Sequence, residues 1–146
     1  MLEALQSAIG AVGLALWRPR GETLQVVAQS GLPSEYVTIA NLRFKEQGLT
    51  PGPLFPAIDA YLTASPVTVA GLLESADHPL QFYAKTLGFD TLFVMPFAHG
   101  GKPAGVLAVY LPAVPRMGLS ASRPWLDLAA AVFGLAASRR LEGNPP

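Results

Sequence analysis

The sequence contains no cysteine, and this absence excludes several kinds of chemistry at once. Thiol nucleophiles, disulfide bonds, thiolate metal sites and cofactors attached through sulfur all need that side chain. Histidine is scarce, with two residues, and neither these nor the scattered Asp59, Asp90 and Asp127 show the spacing of a known metal site. We therefore predict no metal, and no residue pattern indicates a catalytic site.

Charged residues are also few, at 14% of the chain, and the formal net charge is zero. This balance argues against nucleic-acid binding, and the 51% hydrophobic content argues against disorder. In a domain with so few charges, apolar surface is expected to be hidden in a ligand pocket or an oligomer interface. With 146 residues, the chain is expected to form a single domain over residues 1–146.

Long hydrophobic runs are missing as well. The apolar run from Ala8 to Trp17 has no basic flank and is too short to cross a bilayer, so we predict no membrane association and a cytoplasmic protein. Fourteen prolines and the lack of cysteine resemble the composition of heat-adapted bacterial proteins.

The stretch from Phe89 to Tyr110 predicts two strands joined by a tight turn at Gly100-Gly101, because glycine reaches positive φ without steric cost. Pairing His99 with Lys102 then gives two apolar faces. One carries Phe93, Met95, Phe97, Ala104, Val106 and Ala108, and the other carries Leu92, Val94, Leu107 and Val109. A hairpin that is apolar on both faces lies centrally in a sheet and must be covered above and below.

Hydrophobic spacing and turn residues predict the remaining elements. Helices are expected over Leu2–Ile9, Ser34–Ala40, Leu54–Thr63 and Pro79–Leu87, with a last helix from Ser120 or Ser122 to about Leu141. Strands are expected over Ala11–Trp17, Thr23–Gln29 and Val67–Val69. Glycine and proline predict a loop from Arg43 to Pro56. The strand from Ala11 is apolar on both faces and so central, whereas its partner from Thr23 is half polar and so an edge.

The last helix carries two apolar stripes, and a helix that packs on one partner needs only one. Trp125, Leu128, Val132, Leu135 and Ala136 form the first stripe, which we expect to cover the sheet. The second is predicted to meet another chain beside the first helix, in an interface of Leu5, Leu126, Ala130, Phe133 and Ala137. The alternative is a helix buried entirely within its own monomer.

The order of elements resembles that of a GAF domain, a small α+β sensor fold related to PAS domains. The resemblance covers nearly the whole chain. It is carried by Met95-Pro96-Phe97, Gly101-Lys102 and Gly105-Val106-Leu107 in the hairpin, by Pro66-Val67-Thr68-Val69, and by the closing stretch from Ala129 to Arg139. It implies an antiparallel sheet of about five to six strands, terminal helices on one face that often dimerise, and a pocket beneath short helices and loops on the other.

Departures from this family limit the function that the resemblance implies. Its cyclic-nucleotide-binding members carry an Asn-Lys-x-x-x-Phe-x-x-x-Asp-Glu motif, and here Asn41 and Phe44 stand without the acidic pair or the spacing. Members that hold a bilin, and members that reduce free methionine sulfoxide, need cysteine. Haem ligation through His78 is not supported, so no cofactor is predicted. Asp77-His78 indicates a surface loop or a helix cap more than a catalytic pair.

Aromatic residues of the middle segment are the candidate pocket lining. The predicted ligand-binding set is Phe44, Phe55, Tyr61, Phe82, Tyr83, Thr91, Phe93 and Met95. Ordinary packing explains these residues equally well, since each buried aromatic side chain contributes roughly 1.5–3 kcal/mol. We expect Phe93 and Met95 to face the pocket because bulky, polarizable side chains suit it. Leu92, Val94, Leu107 and Val109 should then meet the terminal helices.

The sequence therefore favours a non-catalytic sensory or signalling domain that binds an unidentified small molecule and acts through a homodimer or a partner protein. One alternative is a ligand-free dimerisation or scaffold module with a collapsed pocket, and another is a small enzyme. A roadblock-type dimer is the closest rival fold, but the long segment from Arg43 to Pro66 fits it poorly.

Overall fold

The computed structural model describes residues 2–114 and 117–143, the last helix being described as backbone alone beyond residue 134. In chain order, the described elements are α1 (Leu2–Ile9), β1 (Gly13–Arg20), β2 (Thr23–Ser30), α2 (Ser34–Gln47), α3 (Pro56–Thr63), β3 (Val67–Val69), a 3-10 helix (Leu72–Glu74), α4 (Gln81–Leu87), β4 (Thr91–His99), β5 (Lys102–Leu111) and α5 (Leu119–Gly143). Within these residues, none of the helices combines the length and apolar character needed to cross a membrane.

The strands form one antiparallel sheet in the order β2-β1-β5-β4-β3. Helices α1 and α5 pack on one face, and residues 34–87, which we call the insert, cover the other with α2, α3 and α4. The predicted α+β class and layer order are confirmed. β1 is central and β2 is an edge, as predicted, although β1 continues through Pro19 to Arg20 instead of ending at Trp17.

The β4–β5 hairpin turns at Gly100-Gly101, both with positive φ, and His99 pairs with Lys102 as predicted. The predicted register fails beyond that point, because a bulge between Phe97 and Ala98 places Phe97 opposite Gly105. Pro103 lies beside the bulge and has no N–H to give to a regular ladder. Each residue of β5 beyond Ala104 is therefore shifted by one relative to β4, which exchanges its faces.

Two buried cores result, one on each side of the sheet. The helix-side core packs the sheet against α1 and α5 and contains Ile9, Leu14, Phe93, Met95, Phe97, Leu107, Val109, Leu126 and Phe133. The pocket-side core lies under the insert and contains Trp17, Phe44, Phe55, Leu80, Leu92, Val94, Val106, Ala108 and Tyr110. Leu107 and Val109 meet the helices as predicted.

The predicted faces of β4 are wrong. Phe93 and Met95 lie in the helix-side core, while Leu92 and Val94 lie under the insert. Volume explains the arrangement: the insert brings its own large aromatic rings, so smaller side chains suffice beneath it, and the large side chains of β4 fill the space under α5. Phe93 lies there below the Arg123 guanidinium, whose carbon is 5.5 Å from the ring centroid.

Helix α2 is longer than predicted, because it continues through Phe44 to Gln47 and ends at Gly48, which has positive φ. Two bonds fix it to the edge strand: Asn41 Oδ1 accepts from the Val26 N–H at 2.9 Å, and Thr23 Oγ1 donates to the Phe44 carbonyl at 2.7 Å. The Gly- and Pro-rich loop therefore begins at Gly48 rather than at Arg43.

Helix α5 faces the sheet with the stripe that was predicted to meet another chain. Leu126 and Phe133 are buried against the sheet, with Ala130 partly buried beside them. Gly134 allows the close approach, since a Cβ there would lie 2.6 Å from the Ala98 carbonyl oxygen. The assignment of Leu126 and Phe133 to a dimer interface is therefore wrong. Ala137, the last residue predicted for that interface, lies outside the residues whose side chains are described.

Candidate small-molecule pocket

The pocket-side core contains a cavity of about 30 Å³ between the sheet and the insert. Trp17, Val94, Ala108 and Tyr110 form its floor on the sheet, and residues from α2, α3 and the segment before α4 form its roof. On the floor these side chains share one face because alternate residues of a strand point the same way. This inner cavity has room for about two water molecules or a few heavy atoms of a ligand.

A second cavity of about 30 Å³ lies farther out, with α2 as one wall. The two cavities have four lining residues in common, Tyr36, Phe44, Leu54 and Leu80, so the inner and outer cavities adjoin. The outer cavity also reaches Arg43, whose side chain is exposed. The arrangement is an apolar pocket with the sheet at its inner end and a cation at its outer end.

Aromatic rings form much of the roof. Phe44 stacks on Trp17 with ring centroids 4.1 Å apart, and Phe55 meets Phe44 edge to face at 4.9 Å. Helical spacing explains part of this wall, because Tyr36, Ala40 and Phe44 follow one another at intervals of four residues on α2. Such rings give a ligand apolar contact, and the few polar atoms between them orient it.

Two tyrosine hydroxyls supply polar atoms at this site. The oxygens of Tyr36 and Tyr110 are 2.9 Å apart, and either hydroxyl can be the donor. Burial raises the pKa of Tyr36 to about 12, an effect that its hydrogen bond with Tyr110 partly opposes. Burial likewise raises the pKa of Tyr110 well above its usual value. Both groups are therefore uncharged phenols at neutral pH and can donate and accept hydrogen bonds.

Trp17 adds a third polar group. Its ring is 2% exposed, and its Nε1 has no hydrogen-bond partner among the described residues. An indole N–H can only donate, and a buried donor without an acceptor costs roughly 1–3 kcal/mol. The inner cavity is therefore bounded by a residue with an unused hydrogen-bond donor.

The predicted ligand-binding residues divide into four groups. Phe44, Phe55 and Tyr83 line the cavities, whereas Tyr61 and Thr91 are only partly buried and line neither of them. Phe82 is 71% exposed and touches the edge of the Tyr83 ring from outside. Phe93 and Met95 lie on the opposite face of the sheet, separated from the cavities by its backbone.

The sequence interpretation missed Trp17, Tyr36 and Tyr110. The sequence predicts Trp17 at the end of a strand and Tyr36 in a short helix, and neither prediction says what the side chain meets across the sheet. The signal was present in the alternation of Ala15 with Trp17 and of Ala108 with Tyr110. The register of β1 with β5 sets Ala15 opposite Ala108, Trp17 opposite Val106 and Tyr110 opposite Gly13, so the two aromatic residues share a face but lie on either side of the Ala15–Ala108 pair.

Among the described residues, no cluster of three or more His, Asp or Glu side chains could hold a metal ion. The His78 Nδ1 accepts a hydrogen bond from the Leu80 N–H at 3.1 Å, and Asp77 is exposed, so this pair belongs to a surface turn as predicted.

Sequence comparison identifies no relatives: no family model matches the chain, and no curated protein matches it. Comparison with solved structures is informative. The GAF domain/HD domain protein from Geobacter sulfurreducens superposes with a TM-score of 0.70 at 11% identity, over 94% of this chain and 87% of that one. The GAF domain of a two-component sensor histidine kinase from Bacillus halodurans gives 0.63 at 14% identity, over 95% and 90%. This chain has the GAF fold.

An enzyme shares this fold. The reduced form of fRMsr from Staphylococcus aureus, a methionine sulfoxide reductase, superposes with a TM-score of 0.59 at 15% identity, over 90% of this chain and 76% of that one. The fold is thus compatible with both sensory domains and an enzyme, and residues of this chain must distinguish them.

The residues that carry the resemblance have structural roles in this GAF fold. Gly101-Lys102 completes the hairpin turn, and Gly105 admits the backbone of β1, because a Cβ there would overlap the Trp17 carbonyl oxygen. Asn41 uses its side-chain oxygen to bind β2. It therefore has a structural role, joining α2 to the edge strand.

On the opposite face of the GAF fold, α1 and α5 leave an apolar groove of about 360 Å³. Its lining is Ala4, Leu5, Ala8, Trp125, Leu128, Ala129 and Val132. Trp125 and Leu128 are 52% and 59% exposed, which is unusual for large apolar side chains grouped together. This terminal groove includes Leu5 of the predicted interface but otherwise uses the other stripe of α5.

Proposed function

We propose that this GAF-fold domain is a non-catalytic sensory module that binds a small molecule beneath the insert and acts through a homodimer or a partner protein. The observation that carries the proposal is the pair of adjoining cavities between the sheet and α2, walled by aromatic rings and supplied with tyrosine hydroxyls. Apolar pockets with a few convergent polar groups are the usual form of small-molecule sites.

A sensory role is favoured over catalysis by the chemistry of the pocket. Catalysis of acyl or proton transfer needs a nucleophile or a base near neutral pKa, and the raised pKa values of Tyr36 and Tyr110 make them poor bases. The fold is shared with a methionine sulfoxide reductase, but this chain has no cysteine with which to carry thiol redox chemistry.

The composition of the terminal groove supports dimerisation through it. An exposed apolar strip on two helices is costly in water, and a second copy related by a twofold axis presents the same strip. Trp125, Leu128 and Val132 of α5, with Ala4 and Ala8 of α1, would then be covered by their equivalents. Gln6 of α1 donates a hydrogen bond to the Val12 carbonyl and accepts one from the Ser30 hydroxyl. A structural change of α1 at the interface would therefore be transmitted directly to the sheet.

Native mass spectrometry of protein purified from cells tests the sensory proposal. We expect a recurrent added mass on the wild type. Ala40→Leu, which adds a larger side chain to the outer cavity on α2, should lose it, whereas Ala131→Leu on the exposed face of α5 should keep it. An unliganded mass for all three proteins would contradict ligand binding and favour the alternative, a dimerisation or scaffold module with a collapsed pocket.

A further inference from the structure

The inner cavity specifies the chemistry of its ligand. Resting on the proposed function, we infer that the site takes a compact, uncharged molecule whose hydrogen-bond acceptor, such as a carbonyl oxygen, binds Trp17 Nε1, with its apolar part directed toward the outer cavity. Four features of the described residues support this class of ligand.

The first is the donor. Trp17 Nε1 is buried and unpartnered, and its ring is fixed by the stack with Phe44, so it cannot turn toward water without breaking that contact. Most buried polar groups in folded proteins have a partner, and one that lacks it requires an explanation. An acceptor on a ligand in the adjoining cavity would remove the cost.

The second is the tyrosine pair. Two hydroxyls have two hydrogens, and the contact between Tyr36 and Tyr110 uses one of them. One O–H remains available to donate. The lining of the inner cavity thus offers two separate donors: the Trp17 indole beside Phe44, and a phenol O–H at Tyr36 and Tyr110, which lies about 12 Å away along α2.

The third is the absence of compensating charge. The inner cavity is lined by Trp17, two tyrosines and aliphatic or aromatic side chains, with no cation and no carboxylate among the described residues. Burying a carboxylate or an ammonium group there would cost several kcal/mol without a counter-ion. Arg43 reaches only the outer cavity. A charged ligand head is therefore excluded from the inner end.

The fourth is size. Each cavity measures about 30 Å³, and the two meet at Tyr36, Phe44, Leu54 and Leu80. A head group of a few heavy atoms fills the inner cavity, and a modest apolar part fills the outer one. Large planar cofactors do not match these dimensions.

Acetone and acetate provide matched probes, because they have the same number of heavy atoms and differ in charge. The chain has two tryptophans, so its indole N–H signals in a ¹H–¹⁵N spectrum are few, and Trp17→Phe and Trp125→Phe assign them. We expect acetone to shift the Trp17 indole signal with saturation, and acetate to leave it in place. Trp125→Phe should retain this response.

Affinity provides a second readout. Following the amide signals of Ala108 and Tyr110, we expect Trp17→Phe to bind acetone about three- to tenfold more weakly, the usual range for one neutral hydrogen bond. Tyr110→Phe removes only the distant hydroxyl and should bind acetone with about the wild-type affinity, with the Trp17 indole signal still shifting, so a loss confined to Trp17→Phe does not reflect general damage to the site.

An equal response to acetate would overturn the inference, and so would a Trp17 indole signal that acetone does not move. Native mass spectrometry then separates the two proposals. A co-purifying molecule that is retained equally by Trp17→Phe would leave the sensory function standing and remove the role of Trp17. No co-purifying molecule and no acetone response would remove both.

Discussion

Single residues on the pocket side of the sheet set both its packing and its polarity. Trp17 combines the two: its carbonyl oxygen lies against Gly105, and its side chain lines the inner cavity. Tyr110, three residues beyond Leu107 on β5, contacts Tyr36 through its hydroxyl and Phe89 through its ring, with centroids 5.1 Å apart. The cavity therefore borders on groups that cannot move independently of the sheet.

Gly105→Ala should destabilise the protein because there is no room for a methyl group. The added Cβ would overlap the Trp17 carbonyl oxygen and lie 2.5 Å from Phe97 Cζ, and a backbone atom cannot give way as a side chain can. We expect a loss of about 1–3 kcal/mol in the free energy of unfolding, measured with urea. Ala98→Ser, which adds one atom at an exposed position of the same hairpin, is the control and should change stability by less than about 0.5 kcal/mol.

The Tyr36–Tyr110 pair should make stability fall at high pH. The folded-state pKa of Tyr36 is about 12 against 10.0 for a free tyrosine, so the folded protein holds this proton more tightly than the unfolded chain. The stabilisation is complete below pH 10 and is lost as the pH rises from 10 toward 12. Urea unfolding across this window should show a steep decline for the wild type and a shallower one for Tyr36→Phe. Equal slopes would show that Tyr36 does not carry the effect.

At the scale of elements, the hairpin shows what local sequence determines. The Gly-Gly pair fixes the turn and the first pairs of β4 with β5, and these were predicted correctly. The bulge was not predicted, because it depends on Pro103 lacking an N–H and on β1 lying against Gly105, a partner distant in sequence. Because the prediction omits this shift of one residue, it assigns the later residues of β5 to the wrong face relative to β4.

Helix α5 illustrates a second limit of prediction from the sequence. Both of its stripes are apolar, and hydrophobicity alone does not say which one meets the sheet. The side that contains Gly134 and Ala129 approaches the backbone of β4, and this places Trp125 and Leu128 in the terminal groove. The pocket residues are only partly predictable from the sequence. Phe44, Phe55 and Tyr83 come from the insert itself, whereas Trp17 and Tyr110 join them only through the order of the strands.

Asn41 should hold α2 against β2 through its hydrogen bond to the Val26 N–H. Asn41→Ala removes the acceptor and should cost about 1–3 kcal/mol if the partly buried N–H stays unpaired. Hydrogen exchange at the Val26 amide should accelerate, since this bond protects it. Asn41→Asp keeps an oxygen in place and is the matched control. The structural role would be contradicted if Asn41→Ala left exchange at Val26 at the wild-type rate.

At the scale of the whole molecule, the sheet separates two faces that are covered differently. The sequence predicted this division correctly, because a hairpin that is apolar on both faces needs two covers. One cover contains the pocket, and the other exposes the terminal groove. Gln6 of α1 contacts Val12, which directly precedes β1, and Ser30, the last residue of β2. Because β2 leads into α2, these contacts connect the helices on one face of the sheet with the insert on the other.

The two stripes of α5 permit a direct test of the homodimer. Leu128 is 59% exposed and lines the terminal groove, whereas Leu126 is fully buried against the sheet. Leu128→Glu should therefore convert a dimer to a folded monomer, as measured by sedimentation velocity and circular dichroism. Leu126→Glu should instead unfold the protein, because it buries a charge without a partner in the helix-side core. Asp127→Ala, on the exposed surface between these residues, should leave the dimer intact. If the wild type is a monomer, or if Leu128→Glu remains dimeric, the groove does not join two copies, and its apolar strip would have to be covered by a different protein.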